Sequence, residues 1–217
     1  MTAKHSQLPG APKKSGARKT TATSTAKSTA HASHGLQAYQ LYVELEWVHP
    51  KVWRRLLVPA STKLSRLDVA LLEGMGWEGG HMHEFVFADV RYGPCQPGWE
   101  MLEDMLDEST VTLQEALGAR KTFMYVYDFG DDWRHKIKVE KIITLDAPLS
   151  LAVCLEGENA CPPEDVGGPP GYETFLDALA DKTNPEHEDL KEWIGGSFDP
   201  AAFDVAEVNA RLNQAAT

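Results

Sequence analysis

Residues Tyr125–Glu140, YVYDFGDDWRHKIKVE, read as two strands joined by a turn that carries three carboxylates. Asp128, Asp131 and Asp132 crowd around Gly130, and His135 follows in the second strand. Like charges opposed across a sheet destabilise it, so this turn needs water, a cation or a guanidinium nearby. Counting by two from Trp133 puts His135, Ile137 and Val139 on one face, directing His135 toward the core. The hairpin Phe123–Tyr127 with Trp133–Ile143 therefore fixes an antiparallel sheet with one buried face.

Working outward, Tyr39, Leu41, Val43, Leu45 and Trp47 alternate with polar residues, the period of a half-buried strand. His49 and Pro50 break it, and VWRRLLVP supplies a second strand ending at Pro59. The spacing Leu64, Leu67, Leu71, Leu72, Met75 is helical, with Ser65 and Asp68 set as a capping box and Gly74 and Gly76 as the stop. His81–Tyr92 reads as a third strand, apolar on both faces and central. A short helix is expected from Thr112 through Leu117. CLEGENACPPEDVGGPPG (154–171) reads as a long Pro/Gly loop. Helical stripes follow at Tyr172–Leu179, Leu190–Ile194 and Val205–Leu212. Strands first and helices last predict an α+β fold: a mainly antiparallel sheet, a helix after the second strand, and a C-terminal group of short helices packed on the sheet.

The chain divides into residues 1–36, a disordered basic arm rich in Ala, Thr, Ser and Lys, and 37–217, a single domain. Up to Gly35 the charged residues are Lys4, Lys13, Lys14, Arg18, Lys19 and Lys27, with no Asp or Glu. The other 15 basic residues stand against all 32 acidic ones, so the body carries a formal −17 although the whole chain is −11. Lys13, Lys14, Arg18, Lys19 and Lys27 suit weak, sequence-independent contact with nucleic-acid backbones. A solubilising tail, an arm folding onto its own body and a targeting segment are the alternatives. The acidic body repels phosphates and suits a basic protein partner. Three cysteines are too few for a disulfide scaffold, which points to a reducing, cytoplasmic setting. No apolar run reaches the roughly 18 residues of a membrane helix.

Candidate chemistry rests on Arg54, Arg55, His81, His83, Asp128, Asp131, Asp132, His135, Glu164 and Asp165. Arg54 and Arg55 leave their strand on opposite faces, and the one heading inward needs a carboxylate. The acidic turn offers three, so an arginine pinning that turn is the favoured explanation of it. His81 and His83, two apart on a strand, could ligate a divalent metal with His135 and Asp128 nearby. Hydrogen bonding within the fold is the plainer reading. Trp47, Trp53, Trp77 and Trp133 read as core or near-core. Asp128-Phe129-Gly130 spells the magnesium motif of kinases but lacks its companions, and Cys154 with Cys161 supports a zinc site only weakly. Glu164 and Asp165 sit beside Pro162 and Pro163 in a loop that can present carboxylates to a cation or partner, or simply cover the sheet.

The series YQLYVELEWVHPKVWRRLLVP, GMGWEGGHMHEF, YVYDFGDDWRHKIKVE, ACPPEDVGGPPGYETFLDAL and HEDLKEWIGGSFDPAAFD resembles the plasmid pRiA4b Orf-3-like family from about Tyr39 to Leu212. The resemblance implies a compact α+β domain, found in bacteria and often encoded on plasmids and mobile elements. Some relatives carry a resolvase-like label, but neither a serine- nor a tyrosine-recombinase constellation is legible here. Relatives usually read CPPEDC, whereas this chain has Cys161 and then Val166, which argues against a thiol pair in that loop. The expected function is a non-enzymatic accessory or interaction domain. The alternatives are a metal-dependent hydrolase or nuclease using the His/Asp cluster, and a purely structural domain.

Overall fold

The computed structural model describes residues 36–95 and 104–216. The basic arm lies outside the described residues, apart from Leu36, which opens the first strand. The strands are β1 (Leu36–Leu45), β2 (Trp53–Pro59), β3 (His83–Phe87), β4 (Val90–Gly93), β5 (Met105–Asp107), β6 (Thr122–Tyr127), β7 (Trp133–Leu145) and β8 (Val153–Glu158). The helices are α1 (Leu64–Met75), α2 (Leu113–Leu117), α3 (Gly168–Ala180), α4 (His187–Trp193) and α5 (Val205–Ala215). One sheet runs in the order β5-β4-β3-β6-β7-β1-β2-β8, antiparallel except where β4 meets β5. The fold is α+β. No described helix is long and apolar enough to cross a membrane.

Alternation puts Leu41, Val43 and Leu45 of β1, Phe85 and Phe87 of β3, Tyr125 and Tyr127 of β6, and Trp133 and Ile137 of β7 on one buried face. Helices α1 and α5 and the aromatic residues Tyr172 and Phe175 of α3 cover that face. Phe87 stacks on Phe123 with centroids 4.6 Å apart, and Trp77 lies 5.1 Å from Tyr127 and 5.7 Å from Trp133. Each such side chain contributes on the order of 2–3 kcal/mol by burial. The C-terminal helices join this core: α4 packs on α3, where Trp193 meets Phe175 edge-on, and sends Leu190 toward the same cluster.

Several expectations change. The capping box at Ser65 and Asp68 does not form: the N-cap of α1 is Lys63, without a side-chain cap, and Asp68 accepts from the Tyr125 hydroxyl instead. The true capping box is at α2, between Thr112 and Glu115. Residues 81–92 are not one strand but the end of a loop and the hairpin β3–β4. Its turn is marked by Ala88 with φ 55°. The supposed loop CLEGENACPPEDVGGPPG begins as strand β8, paired with β2, and ends inside α3. β1 stops at Leu45, and Trp47, in a turn with φ 62°, is 62% exposed rather than core.

The turn of the opening hairpin is pressed against the start of α3. Asp131 accepts a hydrogen bond from the Gly167 N–H at 3.1 Å. At Gly168, with φ +69°, an added Cβ would stand 2.4 Å from the Asp131 carbonyl oxygen. Left-handed backbone and backbone contact both demand glycine there. We expect Gly168→Ala to lower stability by about 2–4 kcal/mol in urea denaturation, within the range of strained-backbone and overpacking substitutions. An effect below about 0.5 kcal/mol would show that the turn and helix are not in contact.

Candidate functional site

The three turn aspartates each turn to different partners. Asp128, itself at φ 56°, uses Oδ1 to accept from the N–H groups of Gly130 (2.9 Å) and Asp131 (3.4 Å), an Asx-type turn. Its Oδ2 faces His81 Nδ1 at 3.5 Å. Asp131 turns to Gly167, and Asp132 accepts from Arg134 Nε at 3.0 Å on both oxygens. Local N–H groups, one histidine and the neighbouring arginine therefore answer the charge question.

Neither Arg54 nor Arg55 reaches the turn, which overturns the expected arginine pin. Arg55 lies on the open face and pairs with Glu140 at 2.7 Å and with Glu156. Arg54 is buried, but on β2, where its register partner is Val43 of β1 and β7 lies beyond. There it donates to the carbonyls of Gly74, Trp53 and Glu158. A guanidinium can be dissolved by carbonyl oxygens as well as by a carboxylate, and charge counting alone does not distinguish the two.

The histidines also part company. His83, 8% exposed, sends Nε2 to Glu108 Oε2 at 2.8 Å and Nδ1 toward Asp68 Oδ1 at 3.3 Å, while the Tyr125 hydroxyl donates to the same Asp68 oxygen at 2.6 Å. With a carboxylate at each ring nitrogen, the geometry suits an imidazolium donating twice. Burial pulls the His83 pKa down, but the Glu108 hydrogen bond and the charges of Asp68 and Glu108 outweigh it, and the net shift is upward. Burial also pushes the Asp68 carboxyl up, with His83 and Tyr125 pulling the other way. His135 is fully buried with its ring edge-on to Trp77, its Nδ1 3.2 Å from the Tyr125 carbonyl and its Nε2 without a partner among the described residues. Its pKa is pulled down to about 4 by burial, against backbone hydrogen bonds that raise it, so it stays neutral. The expected grouping of His81, His83 and His135 with Asp128 around one metal is therefore not what the fold builds.

What converges instead is His81, Asp128 and Asp165. One ligand atom from each lies within 4.8 Å of the others, and His81 Nε2 is 3.5 Å from Asp165 Oδ1. This open cluster sits where the α1–β3 loop, the hairpin turn and the loop before α3 meet. Glu164 ties those parts together: its carboxylate accepts from the N–H groups of Glu78 (3.1 Å) and Gly79 (3.3 Å) and from the Tyr127 hydroxyl (2.6 Å). Trp77 Nε1 donates to the Pro162 carbonyl at 2.9 Å. Glu164 is thus a structural clamp, and Asp165 is the exposed member of the pair. Beyond Asp165 opens a groove of about 390 Å³, walled by Val166, Phe175, Leu190 and Trp193 and rimmed by Glu186. The sequence reading missed Asp68, Glu108, Tyr127 and this groove. The signal for Asp68 was its break in the apolar stripe of α1, and Glu108 carried none.

A family profile for the plasmid pRiA4b ORF-3-like protein matches residues 37–207. The chain belongs to that family. It is 40% identical over 184 residues to the uncharacterized protein y4hQ of Sinorhizobium fredii, covering 82% of this chain and 91% of the relative. The crystal structure of a protein of unknown function, MM3350 from Methanosarcina mazei Go1, superposes with a TM-score of 0.72 at 31% identity, covering 80% of this chain and 98% of that one. This pRiA4b ORF-3-like chain thus shares with that structure a fold extending over most of the described body.

The two buried histidines set opposite pH slopes. A raised histidine stabilises the fold below its unfolded pKa of about 6.5 and loses that contribution as pH rises through the folded value. His83 therefore weakens the fold on the alkaline side. The raised Asp68 carboxyl acts only in the acid range: its contribution is full below about 4 and is lost as pH rises through its folded value. The depressed His135 contributes fully above about 6.5 and loses on the order of 3 kcal/mol as pH falls toward 4. Urea midpoints measured from about pH 4 to about pH 9 should peak near neutrality, and His83→Gln should flatten the alkaline limb. An alkaline limb unchanged in that variant would refute the imidazolium assignment.

Proposed function

We propose that this domain works by binding a partner rather than by turning over a substrate, and that the groove beside Asp165 receives a basic protein segment with an apolar anchor. The observation that carries this reading is Trp193. It is 47% exposed at the groove wall, edge-on to Phe175 at 5.8 Å, and flanked by the carboxylates of Asp165 and Glu186. Half-exposed aromatics in a pocket with a charged rim are what binding hot spots are made of. The −17 of residues 36–217 steers cationic partners toward it. Two of the candidate acid–base groups are committed within the fold, since both ring nitrogens of His83 and the carboxylate of Glu164 face partners there. The lysine arm adds weak phosphate-backbone affinity in this reading, and that affinity falls steeply with salt.

Titration with a lysine-rich peptide bearing a single leucine should give saturable binding, and the charge-reversed peptide should give none. Trp193→Ser should weaken binding about tenfold or more in protein that is still folded at the titration temperature, although loss of the contact with Phe175 lowers the melting temperature. Full affinity in that variant would place the site elsewhere.

A second reading has its own observation: the ligand atoms of His81, Asp128 and Asp165 within 4.8 Å of one another. One imidazole and two carboxylates suit a divalent cation such as manganese or zinc, with water in the open positions. Such a cation could activate that water for hydrolysis of a phosphate or carboxylic ester. The plainer alternative is an imidazole bridging two carboxylates. Elemental analysis of purified protein, with melting curves in manganese or zinc, should find a stoichiometric ion and a stabilisation that His81→Ala abolishes. No ion and no shift would remove this reading and leave the groove untouched.

A further inference from the structure

The geometry points to a small-oxyanion binding site formed by Arg54 and Arg211 on the side of α1 that faces α5. Both line a cavity of about 430 Å³ between the end of α1, Cys161 and the start of α5. Arg54 is only 3% exposed, and a buried guanidinium without a counter-charge is costly. Its Nε donates to the Gly74 carbonyl at 3.0 Å and its Nη1 to the carbonyls of Trp53 and Glu158. That leaves Nη2 without a protein acceptor among the described residues. Arg211 donates from Nε to the Glu73 carbonyl at 3.1 Å. The two guanidiniums are thus anchored on consecutive carbonyls of one helix end, and burial, with the nearby charge of Arg211, lowers the tendency of Arg54 to stay charged.

No Asp or Glu lies within 4 Å of either guanidinium among the described residues. The C-terminal dipole of α1 supplies only about half a negative charge. The Cys161 thiol is held neutral, because burial pushes its pKa well up. Phe203 covers one face of Arg54 at 4.6 Å, which blocks approach from that side and leaves Nη2 at the guanidinium edge as the group to be met. The missing charge is one that a phosphate or carboxylate headgroup supplies, with oxygens matched to the guanidinium fork.

Asp204 and Glu207 also line the cavity, but both are exposed, and Asp204 is occupied in accepting from the Ala206 and Glu207 N–H groups. They place negative charge at the mouth above a cationic floor. A polyanion such as nucleic acid is repelled there, while a single small headgroup is admitted. Gly157 keeps the floor open: a Cβ on it would stand 2.8 Å from Arg54 Cδ and 2.6 Å from Phe203 Cζ.

Inorganic phosphate and acetate, each titrated into the full chain at constant ionic strength set with chloride, test the site by thermal unfolding. Arg211 is the variant position because it is less buried than Arg54 and its loss leaves the core intact. A saturable rise in melting temperature is expected with at least one of the two anions, phosphate alone marking a tetrahedral headgroup and acetate alone a planar one. Arg211→Gln should weaken the apparent affinity about tenfold or more, as loss of a charge-assisted hydrogen bond does. Arg55→Gln, on the opposite face of the sheet, should leave it unchanged. Because phosphate also stabilises proteins by exclusion from their surfaces, a rise of equal size in Arg211→Gln, or no saturable rise with either anion, would overturn the site.

Discussion

The carboxylate of Glu164 is the constraint on which the candidate site depends. It accepts from two N–H groups of the α1–β3 loop and from the hydroxyl of Tyr127 at the end of β6, so one side chain closes three chain segments onto each other. Hydrogen bonds to a carboxylate are each worth roughly 1.5–3 kcal/mol. With the loop fixed there, Trp77 reaches the Pro162 carbonyl, Gly167 reaches Asp131, and His81 comes to stand between Asp128 and Asp165. The open cluster and the groove beyond it follow from that closure. Without it, the loop before α3 would be held to the hairpin only through Asp131 and to the α1–β3 loop only through Trp77.

A second tie does similar work on the far side of β3. The group His83, Asp68, Glu108 and Tyr125 draws one residue each from β3, α1, the segment after β5, and β6. It satisfies its own charges, because an imidazolium between two carboxylates leaves a net of one negative charge, and the Tyr125 hydroxyl bonds to part of that. Networks of this kind rigidify a fold when every member has a partner. His135, a few ångströms away across Tyr125, shows the opposite solution: it stays neutral and leaves one nitrogen unmatched inside an aromatic shell. Two histidines that look alike in the sequence are thus held in opposite charge states by their surroundings.

How much of this was legible in the sequence varies with the range of the interaction. The strand period of β1, β6 and β7 and the apolar spacing of α1, α3 and α5 depend on neighbours two to four residues away, and these elements appear where the pattern places them. The hairpin at Ala88 and strand β8 were hidden for local reasons. Ala88 and Asp89 lack the glycine that usually marks a tight turn, and β8 is interrupted by two glutamates and by Gly157, which packs against Arg54 and Phe203, so its apolar alternation is too short to read. Side-chain partners were least legible. The inward direction of His135 and the opposed faces of Arg54 and Arg55 could be counted off, yet the partner of Arg54 could not. The carbonyls that receive it belong to Trp53, Gly74 and Glu158, and no residue type advertises a free carbonyl.

Adjacent carboxylates in the loop make the same point at the smallest scale. Glu164 and Asp165 are chemically near-identical and one residue apart, and both were plausible as a base or a ligand. Asp165 takes φ 60°, a left-handed conformation that Asp tolerates better than most residues, and the chain reverses there. That turn sends the longer side chain into the loop to be consumed by N–H groups and leaves the shorter one 72% exposed, between His81 and the groove. The backbone, not the acidity of either group, therefore decides which carboxylate is available to a partner or cation. Valine at position 165, costly in the left-handed region, would remove one carboxylate and pull the Glu164 clamp out of place, whereas Asn, which tolerates that conformation, should remove the charge alone and leave the clamp intact, so the clamp and the open cluster share one backbone turn.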